Sequence, residues 1–310
     1  MGRLDDRVCI VTGAGRGIGA ALSRTLAREG ASVVVNDLGA NVDGTSQDQE
    51  PAQQVVEEIK ATGGKAVANF NDVTDYDAAE DIIQTALNEF GRLDVLVNVA
   101  GILRDRMVFN MNEEEWDAVI RVHLKGTFNT TKYASIHWRQ AREGHYRLIN
   151  FTSVSGLYGA PGQPNYAAAK MGIVGFTLSC ANSLGKYGVT ANSISPAAAT
   201  RMTESIPTER RRGGTVATEA DPMRSPDNIA PPVVYLASTQ SDWLSGRVIG
   251  ARGGQIELWD NPVVASTLKS DQPWEVDAAC EQMEKVFKPI VEGATATLFP
   301  RPVAQPQPSQ

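Results

Sequence analysis

The sequence predicts a doubly wound α/β fold, and three observations lead to that prediction. Short apolar segments alternate with longer amphipathic segments through the first half of the chain. A glycine-rich turn directly follows the first apolar segment. The chain of 310 residues is also long enough to bury a substantial core in one large domain. Strands that alternate with helices form a parallel sheet that is covered by helices on both faces.

Five segments have the length and composition of strands that are buried on both faces, because they are apolar and often β-branched. They are residues 8–12 (VCIVT), 32–36 (SVVVN), 66–69, 95–98 (VLVN) and 148–151 (LINF). Helix-length segments separate them, so right-handed crossovers are expected to place all five in one parallel sheet.

The intervening helices have recognisable ends, since glycine is typical just after the last turn of a helix. The predicted helices are residues 17–29 before Gly30, 50–62 before Gly63, and a third that Thr74 or Asp75 caps and that ends before Gly91. This order of elements predicts a Rossmann-like single domain over residues 1–258.

The composition changes beyond this domain. Residues 259–299 are expected to form a C-terminal extension with one helix at 274–291. Residues 300–310 (PRPVAQPQPSQ) are rich in proline and glutamine, which predicts a disordered tail.

Composition and charge exclude several classes of protein. Hydrophobic residues make up 42% of the chain and charged residues 21%, which excludes collagen-like and disulfide-scaffold proteins. The net charge of −7 argues against a nucleic-acid partner. No apolar run reaches the roughly 18 residues that span a bilayer, and no signal-peptide pattern opens the chain. We therefore expect a cytoplasmic protein without a membrane partner.

Three cysteines, Cys9, Cys180 and Cys280, lie far apart in the sequence. They lack the spacing of zinc ligands, so no metal site is expected.

The segment TGAGRGIG at residues 12–19 joins the first strand to the first helix. Its glycines let the backbone approach a pyrophosphate, which the N-terminus of the helix attracts. An ordinary glycine-rich turn is the alternative, but strand, motif and helix occur here in the required order. The predicted cofactor-binding residues in this segment are Gly13, Arg16, Gly17, Ile18 and Gly19.

Asp37 follows the second strand, eighteen residues after Gly19. A carboxylate at this place accepts hydrogen bonds from the adenosine ribose and repels a 2′-phosphate, which favours NAD over NADP. Arg16 leaves NADP open, and an aspartate in a surface turn is the other interpretation.

Ser153, Tyr166 and Lys170 are the candidate catalytic residues. Tyr166 and Lys170 are four residues apart, and therefore lie on one face of a helix. A phenol has a pKa of about 10, so the Tyr166 pKa must fall if the residue is to act as a base near neutral pH. We predict that the Lys170 ammonium and an oxidised nicotinamide lower it, while Ser153 binds the substrate oxygen. A surface tyrosine beside a solvated lysine is the alternative.

These motifs together resemble the short-chain dehydrogenase/reductase family over residues 3–259. The resemblance implies that Asp72 and Val73 meet the adenine and that Asn98, Ala100 and Gly101 line the cofactor channel. It also implies that Pro196 to Thr200 forms the nicotinamide-side loop, with Thr200 on the carboxamide. Members of this family self-associate, so a homodimer or homotetramer is expected.

Longer stretches, such as GILRDRM at 101–107 and SGLYGAPGQPNYAAAK at 155–170, are similar to a narrower group. That group is the (3R)-hydroxyacyl-CoA dehydrogenase modules of type 2 peroxisomal multifunctional enzymes and their bacterial single-domain relatives. His123 stands where most members of the wider family keep a catalytic asparagine, and its imidazole can still take part in a proton relay. Val99 and Ala197 also depart from the wider family pattern.

The expected function is hydride transfer between NAD and a secondary alcohol, with a 3-hydroxyacyl-CoA as the expected small-molecule substrate. A hydroxysteroid or terpene-alcohol dehydrogenase acting on cyclic alcohols, and a non-catalytic cofactor-binding regulatory subunit, are the alternatives. Residues 202–226 are expected to form a lid over the substrate. Arg210, Arg211 and Arg212 within it either meet CoA phosphates or form a solvated turn.

Overall fold

The computed structural model describes residues 2–45, 48–142, 144–199 and 221–293. The chain divides into two compact units, Met1–Trp259 and Asp260–Gln310. Several sequence predictions lie outside the described residues, namely those for Thr200, Arg210 to Arg212, most of the lid and the tail at 300–310.

One eight-stranded sheet forms the centre of the first unit, with strand order β3-β2-β1-β4-β5-β6-β7-β8. Strands β1 to β7 are parallel to their neighbours, and β8 is antiparallel to β7. The predicted doubly wound parallel sheet is confirmed. The strands are β1 (Val8–Thr12), β2 (Ser32–Asn36), β3 (Lys65–Asn69), β4 (Val95–Asn98), β5 (Tyr146–Phe151), β6 (Val189–Pro196), β7 (Val248–Arg252) and β8 (Gln255–Trp259).

The last three strands extend the sheet beyond the five that were predicted. Strand β6 reads VTANSISP, and its polar residues hide it from a search for apolar segments. Strands β7 and β8 form a hairpin through Gly253 and Gly254, and Gly253 has a positive φ of 46°. That conformation suits glycine, and it reverses the chain so that β8 is antiparallel.

Nine α-helices accompany the sheet and the second unit in the described part of the chain. They are α1 (Gly17–Arg28), α2 (Glu50–Ala61), α3 (Tyr76–Phe90), α4 (Glu113–Ile120), α5 (Gly126–Ala141), α6 (Val154–Tyr158), α7 (Pro164–Leu184), α8 (Ala230–Ala237) and α9 (Val276–Gly293). The three predicted helix ends agree with the first three helices to within one or two residues. Asp75 caps α3 by accepting hydrogen bonds from the Asp77 and Ala78 amides.

Two apolar layers hold the helices against the sheet. Successive strand residues face opposite sides, so in β1 Cys9 and Val11 join one buried cluster while Val8 and Ile10 join the other. Helices α1, α2 and α8 contribute to the first cluster, and α3, α5 and α7 contribute to the second. Because β1 lies between β2 and β4, the order in which strands are added to the sheet reverses beside β1, and such sheets bind ligands at this point.

The second unit is described over residues 260–293, and none of these residues is buried. Helix α9 lies at Val276–Gly293, so it starts and ends two residues later than predicted.

Candidate active site

A cleft of about 600 Å³ opens at the carboxyl ends of the strands. Most of the predicted site residues line it. They are Gly13, Arg16, Gly17, Ile18, Gly19, Asp37, Asp72, Val73, Ala100, Gly101, His123, Tyr166, Lys170 and Pro196.

The glycine loop fits a dinucleotide by its shape. Gly13 has a positive φ of 63°, and a Cβ there would lie 2.7 Å from the Cα of Ala100. A Cβ on Gly19 would lie 2.1 Å from the Gly13 carbonyl oxygen, so α1 can approach β1 only with glycine at this position. The Arg16 side chain does not cap α1. The first amides of α1 therefore remain available to a phosphate.

Asp37 lies at the end of β2 and is held by the backbone around it. One carboxylate oxygen accepts a 2.7 Å hydrogen bond from the Gly15 amide, and the other accepts a 2.6 Å bond from the Gly39 amide. The Arg16 side chain points to another partner, since its guanidinium forms a 3.3 Å ion pair with Asp48. The carboxylate is thus fixed at the edge of the cleft, where it would meet the adenosine ribose.

The polar loop after β2 contributes residues to one side of the cleft. Leu38, Ala40, Asn41, Val42 and Gly44 line the cleft. The Leu103 amide donates to the Val42 carbonyl at 2.9 Å, and the Arg104 guanidinium donates to the Asp43 carbonyl at 2.6 Å. The loop therefore forms a wall that joins the end of β2 to the segment after β4.

The resemblance implied that Asn98 lines the cofactor channel, but its side chain points into the sheet. It is 5% exposed, and the described lining of the cleft does not include it. Its amide donates to the Asn150 side chain at 2.9 Å, and its carbonyl oxygen accepts from the Thr130 hydroxyl at 2.8 Å. The Asn98 side chain supports the sheet behind the cleft.

Tyr166 and Lys170 lie on the first turns of α7 and face the cleft together. The Lys170 Nζ atom lies 5.5 Å from the centre of the Tyr166 ring. Lys170 is only 4% exposed, and its ammonium donates a 2.8 Å hydrogen bond to the Phe151 carbonyl at the end of β5. The Lys170 side chain thus reaches through the interior to the end of β5, two residues before Ser153.

Burial changes the pKa values of both groups. It raises the pKa of Tyr166 to about 12, and the nearby Asp105 carboxylate acts in the same direction. Burial also lowers the pKa of Lys170 to about 7. The expected lowering of the Tyr166 pKa is therefore not met by the chain alone, because removal from water raises this pKa by more than the hydrogen bond with Ser153 lowers it.

Ser153 stands between β5 and α6 and faces the tyrosine. Its hydroxyl accepts a 3.1 Å hydrogen bond from the Ser155 amide, which caps α6. A hydrogen bond between Ser153 and the Tyr166 hydroxyl opposes the effect of burial on the tyrosine pKa. The two hydroxyls therefore lie close enough to share one substrate oxygen.

His123 lies in a π-helical segment, Arg121–Lys125, between α4 and α5. Its Nε2 atom lies 3.1 Å from the Ile102 amide nitrogen and 2.8 Å from the Ile102 carbonyl oxygen. Its Nδ1 atom is buried and has no hydrogen-bond partner among the described residues. Burial and the Lys170 charge hold the His123 pKa well below its usual value, so the ring is neutral. A Cβ on Gly101 would lie 2.2 Å from this ring.

Two residues of the site were missed by the sequence analysis. Asn165 is fully buried, and its amide donates to the Arg104 and Glu115 carbonyls at 3.0 and 2.9 Å. Gln163 donates to the Asp105 carboxylate at 2.8 Å. These bonds tie the start of α7 to the segment after β4. Gln163 and Asn165 lie within three residues before Tyr166, and this proximity is the sequence signal that could have identified them.

Neither a metal site nor a membrane helix occurs in the described part of the chain. Its His, Cys, Asp and Glu residues form no group of three or more that could hold an ion. Its helices include none that is both long and apolar enough to cross a bilayer.

Comparison with known proteins places these features in a wider group. The family model described as short chain dehydrogenase matches residues 7–211. A crystal structure of a short chain dehydrogenase from Mycobacterium avium superimposes with a TM-score of 0.81 at 41% identity, over 96% of this chain and 98% of that one.

Two curated relatives have names that mention an activity. A hydroxyacyl-CoA dehydrogenase of Mycobacterium tuberculosis is 42% identical over 281 residues, which cover 86% of this chain and 84% of that protein. A peroxisomal hydratase-dehydrogenase-epimerase of Neurospora crassa is 40% identical over 286 residues. The match covers 92% of this chain but only 30% of the Neurospora protein.

The buried lysine gives a testable dependence of stability on pH. The unfolded chain binds a proton at Lys170 up to a pH near 10, whereas the folded chain releases it near 7. Stability therefore rises with pH across this window, by up to about 1.4 kcal/mol per pH unit. We expect the free energy of unfolding in urea to rise more steeply from about pH 7 to 9.5 in the wild type than in Lys170→Met. The raised pKa of Tyr166 acts only above this window.

The exposed Lys60 on α2 provides the matched control. Lys60→Met should give a curve parallel to that of the wild type. Parallel curves for the wild type and Lys170→Met would contradict the burial of an uncharged lysine.

Proposed function

Because the chain belongs to the short-chain dehydrogenase family, we propose that it is an NAD-dependent dehydrogenase of 3-hydroxyacyl-CoA thioesters. The observation that carries the proposal is the meeting of Ser153, Tyr166 and Lys170 beside a glycine loop that fits a dinucleotide. The name of the Mycobacterium tuberculosis relative, which matches over most of both chains, supports the substrate class.

The glycine loop, Asp37, Val73 and Ala100 would hold the dinucleotide along the cleft, with Pro196 near the nicotinamide. The oxidised nicotinamide, when bound, supplies the acceptor for the hydride of the alcohol. Lys170 and Tyr166 line the same cleft, so the substrate carbinol would sit against their end of it.

The proton of the substrate hydroxyl passes to Tyr166, and Ser153 donates a hydrogen bond to the carbonyl oxygen that forms. Since burial raises the Tyr166 pKa, deprotonation needs positive charge, and a protonated Lys170 together with the nicotinamide provides it. A lysine with a pKa of about 7 can take up and release a proton near neutral pH. His123 is neutral, and its Nδ1 atom has no hydrogen-bond partner among the described residues. We propose it as the next group that carries the proton from Lys170 toward solvent.

NAD is the proposed cofactor, because Asp37 is a fixed negative charge at the end of β2 and Arg16 pairs with Asp48. A 2′-phosphate at this place would meet the carboxylate without a free guanidinium from Arg16 to neutralise it.

A homodimer or homotetramer also remains a proposal. Its support is the exposed side chains of Tyr76 and Phe128, which form an aromatic surface on α3 and α5. The cytosol is the proposed compartment, although the Neurospora relative is by name a peroxisomal protein.

The proposed base is tested by Tyr166→Phe. This variant lacks the hydroxyl that takes the proton, so kcat for a 3-hydroxyacyl-CoA should fall by about 10²- to 10⁴-fold. The affinity for NADH, measured by fluorescence titration, should be nearly unchanged. Appearance of NADH at 340 nm follows the reaction, and Tyr187→Phe, which alters a tyrosine three residues beyond the C-terminal end of α7, should behave as the wild type.

A panel of alcohols tests the substrate class. Turnover of the CoA thioester should exceed turnover of hydroxysteroids and cyclic terpene alcohols. A preference for a cyclic alcohol would reject the thioester assignment, and full activity of Tyr166→Phe would reject the base.

The cofactor preference is tested by Asp37→Asn. The substitution keeps the shape of the side chain and removes the charge that opposes a 2′-phosphate. The ratio of NADPH to NADH dissociation constants should fall by about tenfold, which corresponds to about 1.4 kcal/mol. Tighter binding of NADPH than NADH by the wild type would contradict the proposed preference.

A further inference from the structure

We propose that Asn150, Thr152 and Thr177 are positioning residues for the reaction, because their side chains fix β5, and the segment after it that leads to Ser153, to the helix that carries Tyr166 and Lys170. We name these three residues the β5–α7 clamp. The proposal rests on the proposed dehydrogenase function, and it adds Asn150 and Thr177, which do not line the cleft, and Thr152, which lines it beside Phe151.

The first contact of the clamp lies directly behind the site. Thr152 precedes Ser153 and is 1% exposed. Its hydroxyl donates a 2.8 Å hydrogen bond to the main-chain carbonyl of Lys170. One side chain therefore joins the residue before one catalytic group to the backbone of another.

The second contact lies two helical turns further along α7. The Asn150 amide donates a 2.9 Å hydrogen bond to the Thr177 hydroxyl, and Thr177 donates in turn to the Ile173 carbonyl at 2.7 Å. Residues seven apart lie on one face of a helix, so Lys170 and Thr177 both face β5. Thr152 directly follows β5, and its amide continues the pairing with β6 by donating to the Ile194 carbonyl at 2.8 Å. Asn150 and Thr152 both face α7, as their hydrogen bonds to it show.

The clamp is anchored in the sheet by further buried polar groups. The Asn150 carbonyl oxygen accepts a 2.9 Å bond from Asn98, and the Ser193 hydroxyl donates to Thr177 at 2.9 Å. Asn98, Asn150 and Ser193 are paired across β4, β5 and β6 at one level of the sheet. Buried polar groups stabilise a fold only when they are satisfied, so this row permits one register between the sheet and α7.

A third contact also joins β5 to α7, but it cannot keep their spacing constant throughout the reaction. It is the 2.8 Å bond from the Lys170 ammonium to the Phe151 carbonyl. The Lys170 side chain has to exchange its proton in the proposed mechanism, and this bond weakens when the ammonium loses its charge. The hydroxyl and amide contacts of the clamp do not titrate, and they hold the spacing while the lysine changes state.

Because Lys170 is buried, a small displacement of α7 along β5 would change several of its interactions at once. The groups that face the Lys170 ammonium are Tyr166 on its own helix and His123 on the π-helical segment, while Asp105 faces the Tyr166 hydroxyl. A small slide of α7 along β5 changes all of these separations together with the distance from Ser153. Displacements of about 1 Å at an active site can cost about a hundredfold in rate.

The test compares three threonine variants in the full chain. Thr152→Val keeps the shape of the side chain and removes its hydroxyl, and Thr152→Ser restores the hydroxyl. Thr190→Val is the matched control, because Thr190 is a buried threonine on β6 whose hydroxyl has no partner within the described residues. Thermal unfolding and NADH affinity are recorded for each variant.

We expect Thr152→Val to lower kcat about tenfold or more with little change in KM, and to displace the pH profile of kcat. Thr152→Ser should recover most of the rate, and Thr190→Val should match the wild type. A clamp with a purely structural role would lower the unfolding temperature without moving the pH profile. That result, or equal losses in Thr152→Val and Thr152→Ser, would overturn the proposal.

Two further measurements keep the test decisive. If Thr152→Val does not fold, Thr177→Val takes its place, with the same expected result. An NMR titration of labelled lysine follows Lys170 without any substrate, and its pKa should move toward 10 when the clamp is loosened. An unmoved Lys170 titration would overturn the clamp. A wild type that does not oxidise the thioester would instead reject the proposed function and leave the clamp standing if Lys170 still shifts.

Discussion

The Lys170 side chain leaves α7, passes beside the Tyr166 ring and ends on the Phe151 carbonyl at the tip of β5. This course through the interior governs the chemistry of the site, because an ammonium removed from water loses its proton easily. The same removal from water keeps the tyrosine protonated. In the proposed mechanism the pair therefore needs added positive charge to work near neutral pH, and a bound oxidised nicotinamide would supply it. The proposal thus couples cofactor binding to activation of the base.

The fold places this pair where the dinucleotide would lie. The strand order reverses beside β1, and this reversal opens a cleft. Glycine at positions 13 and 19 allows α1, β1 and the segment after β4 to approach one another closely. Asn165 and Gln163 join the start of α7 to the same segment. His123 and Gly101 continue these contacts toward the π-helical segment. The catalytic helix is thus held from β4 as well as from β5.

The sequence predicted the parts of this arrangement that depend on local patterns. Apolar segments revealed β1, β2 and β4 to the residue, and glycines revealed the helix ends. Strand β6 was missed because Thr190, Asn192 and Ser193 make it polar, and the hydrogen-bond partners of the Asn192 and Ser193 side chains are distant in sequence. The sequence also singled out Tyr166 and Lys170 as candidates, but it did not reveal that the chain alone raises the Tyr166 pKa. Charge can be counted in a sequence, whereas burial is known only after the chain has folded.

The most direct test of this coupling is the titration of Tyr166 itself. Tyrosines labelled at Cζ report ionisation by NMR, and Tyr166→Phe identifies the Tyr166 signal among the seven tyrosines of the chain. The pKa should lie near 12 in the protein without cofactor and fall when oxidised NAD is added. A tyrosine that already ionises near neutral pH without the cofactor would contradict the account, since the chain alone would then activate its base.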